Sequence, residues 1–236
     1  MFYLIGLGLS EKGLSIEALE ILKKCKKVYV ENYTSEFPYP IHRLEDKIGK
    51  PISSLTRMMV EAEKFVEEAK KINIAMLVYG SPLAATTHIS LILKCKNENI
   101  PYQVIHNTSI FDAVSETGLQ IYKFGKTASM PAWNEKYKPD SFVKLIKYNR
   151  KMGAHTLILV DIGLTFHQAL KQLEEALKGQ VKVGKIVVCS RLGTNESRIF
   201  YDTMDELVGK EVYAPFCIII PEKLHFLEEE ALEKLK

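Results

Sequence analysis

The chain has 236 residues, of which 47% are hydrophobic and 26% charged, and its formal net charge at pH 7 is +3. These values are typical of a globular protein and exclude a disordered or fibrous chain. The small, dispersed charge argues against nucleic acid as a partner, because such proteins concentrate basic residues on one face.

The cysteine and histidine patterns narrow the class of protein further. Four widely separated cysteines form no Cys-x-x-Cys pair, which predicts reduced, buried thiols and a cytoplasmic location. The apolar amino terminus lacks the features of a signal peptide, and no apolar run reaches membrane-spanning length, so we expect no membrane association. The six histidines have no metal-binding spacing, and we predict no metal site.

The chain begins with a predicted buried strand, Phe2 to Leu7, that ends in the turn Gly6-Leu7-Gly8-Leu9. The next glycine, Gly13, does not complete the Gly-x-Gly-x-x-Gly of dinucleotide sites, so a Rossmann dehydrogenase is only weakly supported. Ser15 is predicted to cap a helix, and a short strand, Lys27 to Val30, follows it.

The segment from Glu31 to Ser35 follows that strand and combines acid, phenol and hydroxyl groups. Such loops often carry substrate contacts, although a surface turn with incidental polar residues explains the pattern as well. Thr56 is predicted to begin a long amphipathic helix that continues to Ala69. Arg57 and Glu61 lie four apart in its first turns, where an i,i+4 ion pair is the ordinary interpretation.

An apolar run, Ile74 to Val78, precedes Gly80, Pro82 and a series of small residues that ends at His88, where a helix follows. This predicts a strand, a tight turn and a helix at the carboxyl edge of a sheet, where open α/β folds bind ligands. An ordinary strand-to-helix connection explains the same residues. The strand Tyr102 to Ile105 ends in a second such turn, in which hydroxyl groups either cap a short helix or hold a ligand.

Residues 122–139 are poorly patterned and are predicted to connect two halves of the chain. The second half has more strands than the first. A terminal helix from Glu228 is predicted to present a solvated face. The other predicted elements are helices at 141–151 and 165–178 and strands at 156–160, 185–190, 198–201 and 216–220.

The chain has neither a Gly-x-Ser-x-Gly elbow nor a phosphate-binding loop, and no acid/base constellation stands out. Small and hydroxylic turns at a sheet edge suit a ligand that brings its own reactivity. A sulfonium methyl donor is such a ligand, because in-line displacement of its activated methyl group needs alignment more than proton transfer. We therefore predict no catalytic residue.

Seven segments, taken in chain order, carry a family resemblance. They are Gly6-Leu7-Gly8-Leu9, Glu31-x-Tyr33-Thr34-Ser35, Gly80-x-Pro82-Leu83-x-Ala85-Thr86-Thr87-His88, Ser109-Ile110, Gly118-Leu119-Gln120-Ile121-Tyr122-Lys123-Phe124-Gly125-Lys126, Asp161-Ile162 and Pro221-x-Lys223-Leu224-His225. Together they resemble the diphthine synthase family over essentially the whole chain. The Gly-Leu-Gly and Gly-x-Pro turns alone would indicate only the wider tetrapyrrole methylase superfamily.

The resemblance implies an α/β, two-domain tetrapyrrole methylase-like fold, with domains at 1–110 and 111–236. It also implies a homodimer and an S-adenosylmethionine molecule in the inter-domain cleft. The implied reaction methylates the amino group of the 3-amino-3-carboxypropyl-histidine side chain of translation elongation factor 2, a step of diphthamide biosynthesis.

Site residues follow from the same resemblance. Donor contacts are expected at Leu9, Ser81, Ala84, Ser109, Ile110, Val160, Leu192 and Phe216, and substrate contacts at Tyr33, Thr34, Arg57 and Glu61. The family usually has Gly-Asp-Pro where this chain has Gly80-Ser81-Pro82. Because a carboxylate is lost there and only a hydroxyl remains, we expect donor binding to be retained but weaker.

Three other functions remain open at this level. One is another superfamily methylase that acts on a tetrapyrrole or on RNA. A second is a non-catalytic S-adenosylmethionine-binding protein, which the serine at position 81 leaves open. A third is a nicotinamide-dependent oxidoreductase.

Overall fold

The computed structural model describes residues 1–235 and divides into two units, Met1–Phe111 and Asp112–Lys236. The expected domain boundary, between residues 110 and 111, lies beside this division. Each unit contains one five-stranded sheet. Among residues 1–235, no helix is both long and apolar enough to cross a bilayer, and no cluster of three or more metal-ligating side chains occurs.

The sheet of the first unit has the order β3-β2-β4-β1-β5, and every neighbouring pair is parallel. The carboxyl ends of its strands therefore meet at one edge, the edge at which such sheets bind ligands. The elements of this unit are β1 (Phe2–Gly6), α1 (Ile16–Lys24), β2 (Lys27–Glu31), α2 (His42–Ile48), β3 (Ile52–Leu55), α3 (Arg57–Glu61), a 3₁₀ helix (Lys64–Lys70), β4 (Ile74–Val78), α4 (Ile89–Asn97) and β5 (Tyr102–Ile105).

Two of the three interior strands, β1 and β4, are buried along their whole length, as expected for parallel strands covered on both faces. Alternate residues of β1 enter different clusters: Tyr3 and Ile5 pack on one side, and Phe2 and Leu4 on the other. The side chain of Ser15 accepts a hydrogen bond from the backbone of Ala18 and caps α1, as the sequence predicted.

The prediction of one long helix from Thr56 to Ala69 is wrong. Thr56 does cap a helix, but α3 has only five residues. The chain then turns at Glu63, whose φ of 56° is left-handed, and continues as a 3₁₀ helix that buries Val66 and Ala69. Because no glycine or proline marks this break, only packing in the folded unit selects it.

The sheet of the second unit has the order β6-β7-β10-β8-β9, in which β6 and β7 are parallel and the other pairs antiparallel. The helix α5 (Ile110–Ala113) spans the division between the units. The remaining elements are 3₁₀ helices at Val114–Thr117 and Ile121–Lys123, β6 (Ala128–Met130), α6 (Ser141–Lys151), β7 (Thr156–Val160), α7 (Phe166–Leu177), β8 (Ile186–Ser190), β9 (Arg198–Asp202), α8 (Met204–Leu207), β10 (Phe216–Ile220) and α9 (Phe226–Glu233).

Several predicted elements of this unit have the observed bounds, including α6, β7 and β10. Thr165 caps α7 in a reciprocal capping box with Gln168, which explains why the helix starts there. Residues 122–139 are not only a connection, since they contain β6, whose Ala128 and Met130 are buried in the core of this unit.

The terminal helix α9 is not a fully solvated face, because Glu228 is 0% exposed. Its carboxylate accepts hydrogen bonds from the backbone N–H groups of Gln120 (2.9 Å) and His225 (2.7 Å) and forms an ion pair with Lys123. Burial alone would raise the pKa of Glu228, but the His225 N–H, Lys123 and further donors outweigh it and lower the pKa to about 2.

The fourth partner of Glu228 is His155, which is also 0% exposed. Its Nε2 lies 3.0 Å from Glu228, and its Nδ1 accepts a hydrogen bond from the backbone N–H of Glu222 at 3.0 Å. Because Nδ1 is an acceptor, the proton of the neutral ring is on Nε2, which donates to the carboxylate. Burial lowers the pKa of His155 and outweighs the opposing effect of Glu228, so the ring stays neutral in the folded chain.

This cluster makes stability depend on pH in two steps. As the pH falls below about 6.5, His155 becomes protonated in the unfolded chain, whereas the folded ring stays neutral. Below about pH 4.3, Glu228 becomes protonated in the unfolded chain, whereas the folded carboxylate stays ionised down to about pH 2. Both effects lower the free energy of unfolding in acid. We expect Glu228→Gln to lose about 3 to 5 kcal/mol at pH 7 and to lack the lower step.

Urea unfolding between about pH 3 and pH 8 measures this dependence. The matched control is Glu229→Gln, which changes the exposed neighbouring carboxylate of α9 and should follow the unsubstituted protein. The same acid dependence in both variants would contradict the assignment to Glu228.

Two glycines of the 118–125 segment are required by close packing. A Cβ on Gly118, whose φ is +81°, would lie 2.3 Å from the Cβ of Ala231 in α9. A Cβ on Gly125 would lie 2.3 Å from the side-chain oxygen of Asn149. Both positions are therefore glycine because the packing of the second unit leaves no room for a side chain.

We expect Gly118→Ala to combine a left-handed backbone cost of about 1 to 2 kcal/mol with an overpacking cost of about 1 to 3 kcal/mol. Gly179→Ala is the control, since Gly179 has a similar φ of +70° and nothing lies within 4 Å of its added Cβ. Urea unfolding of the two variants should separate the backbone cost from the packing cost. Equal losses would show that the approach of α9 is not what excludes a side chain at position 118.

Candidate functional site

The turns that follow β1 and β4 are joined by a reciprocal pair of backbone hydrogen bonds. The N–H of Gly8 donates to the carbonyl of Gly80 at 3.1 Å, and the N–H of Gly80 donates to the carbonyl of Gly8 at 2.9 Å. A Cβ on Gly6 would lie 2.7 Å from the Gly80 carbonyl oxygen and 2.9 Å from Pro82. Glycine at position 6 is therefore required for the two turns to approach this closely.

Asn107 ties the turn after β5 to the same place. Its side-chain nitrogen donates to the carbonyls of Gly6 (3.1 Å) and Gly13 (2.8 Å), and its side-chain oxygen accepts from the N–H of Thr108 at 2.8 Å. These partners fix the orientation of the amide, since two carbonyls require donors and an N–H requires an acceptor. Three strand-ending turns thus converge at the carboxyl edge of the first sheet.

The residues expected to contact the donor in this unit lie on these turns. A Cβ on Gly80 would lie 3.8 Å from Ser109 Cα and 3.9 Å from Leu9, so these residues are neighbours. The carbonyl of Ser81 accepts from the N–H of Ala84 at 3.1 Å, which closes a tight turn. Ser109 is buried and its hydroxyl accepts from the N–H of Phe111 at 3.2 Å, so it caps the turn that Ile110 begins.

Three further expected donor contacts lie at one edge of the second sheet. Phe216 begins β10 opposite Ser190, the last residue of β8, while β7 ends at Val160 beside the same end of β10. Leu192 follows β8 by two positions and is buried. The structure therefore groups Val160, Leu192 and Phe216 within the second unit.

The four expected substrate contacts are brought together at the end of β2 and the start of α3. Burial, followed by the charges of Glu31 and Glu61, raises the pKa of Tyr33 to about 12, and Arg57 opposes this. Tyr33 is thus close to both ends of the Arg57–Glu61 ion pair, whose Nε to Oε1 distance is 2.7 Å. The Thr34 hydroxyl, next along the chain, donates to the Glu31 carboxylate.

Glu31 and His88 belong to the same group of side chains but were not among the expected site residues. Glu31 is 1% exposed at the end of β2. His88 is also 1% exposed, its ring meets Tyr33 edge-to-face at 6.4 Å, and its Nδ1 donates to the carbonyl of Pro82 at 3.1 Å. His88 therefore connects the Ser81-Pro82 turn to the Tyr33 loop. An acid at the end of a buried strand was the sequence signal for Glu31.

Comparison with known proteins identifies the family of this chain. Residues 1–208 match the model for tetrapyrrole (corrin/porphyrin) methylases. The diphthine synthase of Methanocaldococcus jannaschii is 39% identical over 100% of this chain and 98% of its own length. The chain belongs to the diphthine synthase family of tetrapyrrole methylases.

Two further relatives agree with this family membership. The diphthine methyl ester synthase of Schizosaccharomyces pombe is 34% identical over 98% of this chain and 93% of its own length. A solved diphthine synthase is 32% identical, with a TM-score of 0.91 over 100% of this chain and 96% of that one. The resemblance, the fold class and the enzyme class, a methyltransferase, are confirmed.

The turns of the first unit fit the methyl donor that a diphthine synthase implies. They bring backbone N–H and carbonyl groups together with small side chains, Ser81 and Ala84, and glycines allow close backbone approach. Ser81 and Ser109 offer hydroxyl groups, and none of these turn residues is charged. Such a surface suits a ligand with amide-like, hydroxyl and apolar parts.

Proposed function

We propose that this protein uses S-adenosylmethionine to methylate the amino group of the 3-amino-3-carboxypropyl-histidine side chain of translation elongation factor 2, in diphthamide biosynthesis. The observation that carries the proposal is the convergence of the turns after β1, β4 and β5, held by the Gly8–Gly80 bonds and by Asn107. A preformed surface of this kind can align an activated methyl group with a nucleophile, which is most of what the reaction requires.

The donor contacts that we propose form two sets. Leu9, Ser81, Ala84, Ser109 and Ile110 are in the first unit, and Val160, Leu192 and Phe216 are in the second. Each set lies at one edge of its own sheet, which supports the assignment. That one donor molecule contacts both sets is an expectation from the family resemblance.

The proposed substrate contacts are Tyr33, Thr34, Arg57 and Glu61. The side chains of Arg57 and Glu61 are 75% and 56% exposed, and an exposed ion pair of this kind contributes little to stability. Arg57 can therefore exchange its partner for the carboxylate of the 3-amino-3-carboxypropyl group at small cost, since a guanidinium matches a carboxylate in shape and charge.

The proposal includes a homodimer that acts in the cytoplasm on a protein substrate, without nucleic acid, membrane or metal. The four cysteines are free and buried, which supports a reducing compartment.

Elongation factor 2 that carries the unmethylated side chain, incubated with this protein and S-adenosylmethionine, should gain mass by whole methyl groups in intact-mass spectrometry. Elongation factor 2 that lacks the 3-amino-3-carboxypropyl group is the control and should gain none, because the accepting amine is absent. Brief alkaline treatment distinguishes N-methyl groups, which survive it, from an ester methyl, which it removes.

Donor binding without mass gain would replace the proposal with a non-catalytic binding protein. Binding of NADH, with no response to the methyl donor, would overturn it altogether.

The serine at position 81 gives a second test. We expect Ser81→Asp to bind S-adenosylmethionine about five- to tenfold more tightly, because a hydrogen bond to a charged group is about 1 kcal/mol stronger than a neutral one. Calorimetry with the demethylated product, which lacks the sulfonium charge, should show little change. Ser53→Asp, which adds the same charge at an exposed position on β3, is the control. Weaker donor binding by Ser81→Asp would contradict the placement of the donor.

A further inference from the structure

The carboxylate of Glu31 turns back into the loop that follows its own strand. One oxygen accepts hydrogen bonds from the backbone N–H groups of Tyr33 (3.2 Å) and Thr34 (3.1 Å), and the other accepts from the Thr34 hydroxyl. Within residues 1–235, no lysine or arginine forms an ion pair with this carboxylate, although it is 1% exposed. Its three hydrogen bonds leave one carboxylate lone pair available, by the usual capacity of about four.

The hydrogen bond to Glu31 determines how the Thr34 hydroxyl can interact with a ligand. A hydroxyl has one proton, and here that proton is donated to the carboxylate, so the Thr34 oxygen presents only lone pairs to other groups. Donation to a carboxylate also polarises the hydroxyl and makes its oxygen a better acceptor. Thr34 is half-buried, so the residue is not closed off from solvent. A substrate ammonium has N–H donors only and is complementary to it.

The neighbouring titratable and charged groups are Tyr33, the Arg57–Glu61 pair and His88. With its pKa raised to about 12, the Tyr33 phenol stays protonated at neutral pH and is not a proton acceptor there. His88 Nε2 is buried and has no hydrogen-bond partner within the described part of the chain, while Nδ1 is bonded to Pro82. An unpartnered buried ring nitrogen beside the loop is a second sign that a polar group of a ligand binds here.

We propose that Thr34 and Glu31 form the proton relay that deprotonates the substrate amine. An N–H bond of the ammonium breaks as its proton passes to Thr34 Oγ1, and the Thr34 hydroxyl proton passes to the Glu31 carboxylate. The substrate becomes a neutral amine with a free lone pair, and Thr34 is regenerated. The carboxylic acid of Glu31 returns its proton to water before the methyl group is transferred, so that Glu31 is again a carboxylate during the transfer. Thr34 is the catalytic residue and Glu31 acts through it; this inference rests on the proposed function.

The test is the pH dependence of the first methyl transfer by Glu31→Gln in the full-length protein. Glutamine has nearly the same size and can still accept a backbone N–H, but its amide takes up no proton. We expect the rate at pH 7 to fall about 10²- to 10⁴-fold, the usual contribution of a positioned base. The loss should shrink as pH rises, because an aliphatic amine then arrives already deprotonated.

The hydroxyl itself is tested by two substitutions at one position. Thr34→Ser keeps the relay and should restore most of the rate, whereas Thr34→Val keeps the shape of the side chain without the hydroxyl and should show the same pH-dependent loss. These two variants test the role of the Thr34 hydroxyl even if Glu31→Gln does not fold. A valine variant as active as the serine variant at pH 7 would overturn the proposal.

The control is Glu45→Gln, which makes the same change in a carboxylate that also accepts a backbone N–H, that of Ile52 at 2.7 Å, outside this loop. Its pH profile should match that of the unsubstituted protein. A loss in Glu31→Gln that is equal at every pH would mean that the carboxylate only shapes the loop. Failure of the proposed function looks different, since the unsubstituted protein would then transfer no methyl group at any pH.

Discussion

The two backbone hydrogen bonds between Gly8 and Gly80 are the constraint on which the candidate site depends. β1 and β4 pair in parallel as far as Gly6 and Val78, and the bonds between the glycines continue the contact beyond the strands. Each bond contributes only about 1 kcal/mol net. Their larger effect is geometric, because they fix the turns that carry Leu9 and Ser81. A side chain at Gly6 would separate the same turns.

Part of the sequence that identifies the family serves the packing of the second unit. Gln120 and Lys123 come from one signature segment and His225 from another, and all three donate to Glu228. A carboxylate with 0% exposure is stable only when such partners compensate for lost hydration. These two segments therefore join α9 to the rest of its unit, so a family signature does not by itself indicate contact with a ligand.

The sequence predicted best what depends on local pattern. Continuous apolar runs predicted β4 and β10, and Thr165 marked the start of α7. β3 was missed because its two central serines, Ser53 and Ser54, are both exposed and break the expected alternation.

What depends on distant partners could not be read from local pattern. The turn at Glu63 has no local signal, and the burial of Glu228 requires partners more than 100 residues away in sequence, at separations of 108 and 105. The candidate site shows the same difference between what local sequence predicts and what depends on distant partners. The position of Ser81 after a buried strand was visible in the sequence, whereas the orientation of the Glu31 carboxylate toward Thr34 was not.

The distribution of charge between the two sides of the candidate site has a consequence for catalysis. The turns that we propose to bind the donor contain no carboxylate, while Glu31 and Glu61 lie near Tyr33 in the loop that we propose to bind the substrate. In methyl transfer to an amine, the nitrogen becomes positively charged as the reaction proceeds. A carboxylate near that nitrogen therefore interacts more strongly in the transition state than in the ground state, and such interactions increase the rate.

A carboxylate beside a donor that is already positively charged has the opposite effect, because it stabilises the ground state and increases affinity without increasing the rate of transfer. If Ser81 contacts the donor as we propose, the serine at this position weakens donor affinity but leaves the carboxylates near the amine in place. Under the proposed function, this chain keeps its negative charge where positive charge develops. Under the same proposal, donor binding and the chemical step depend on different side chains, so each can vary without the other.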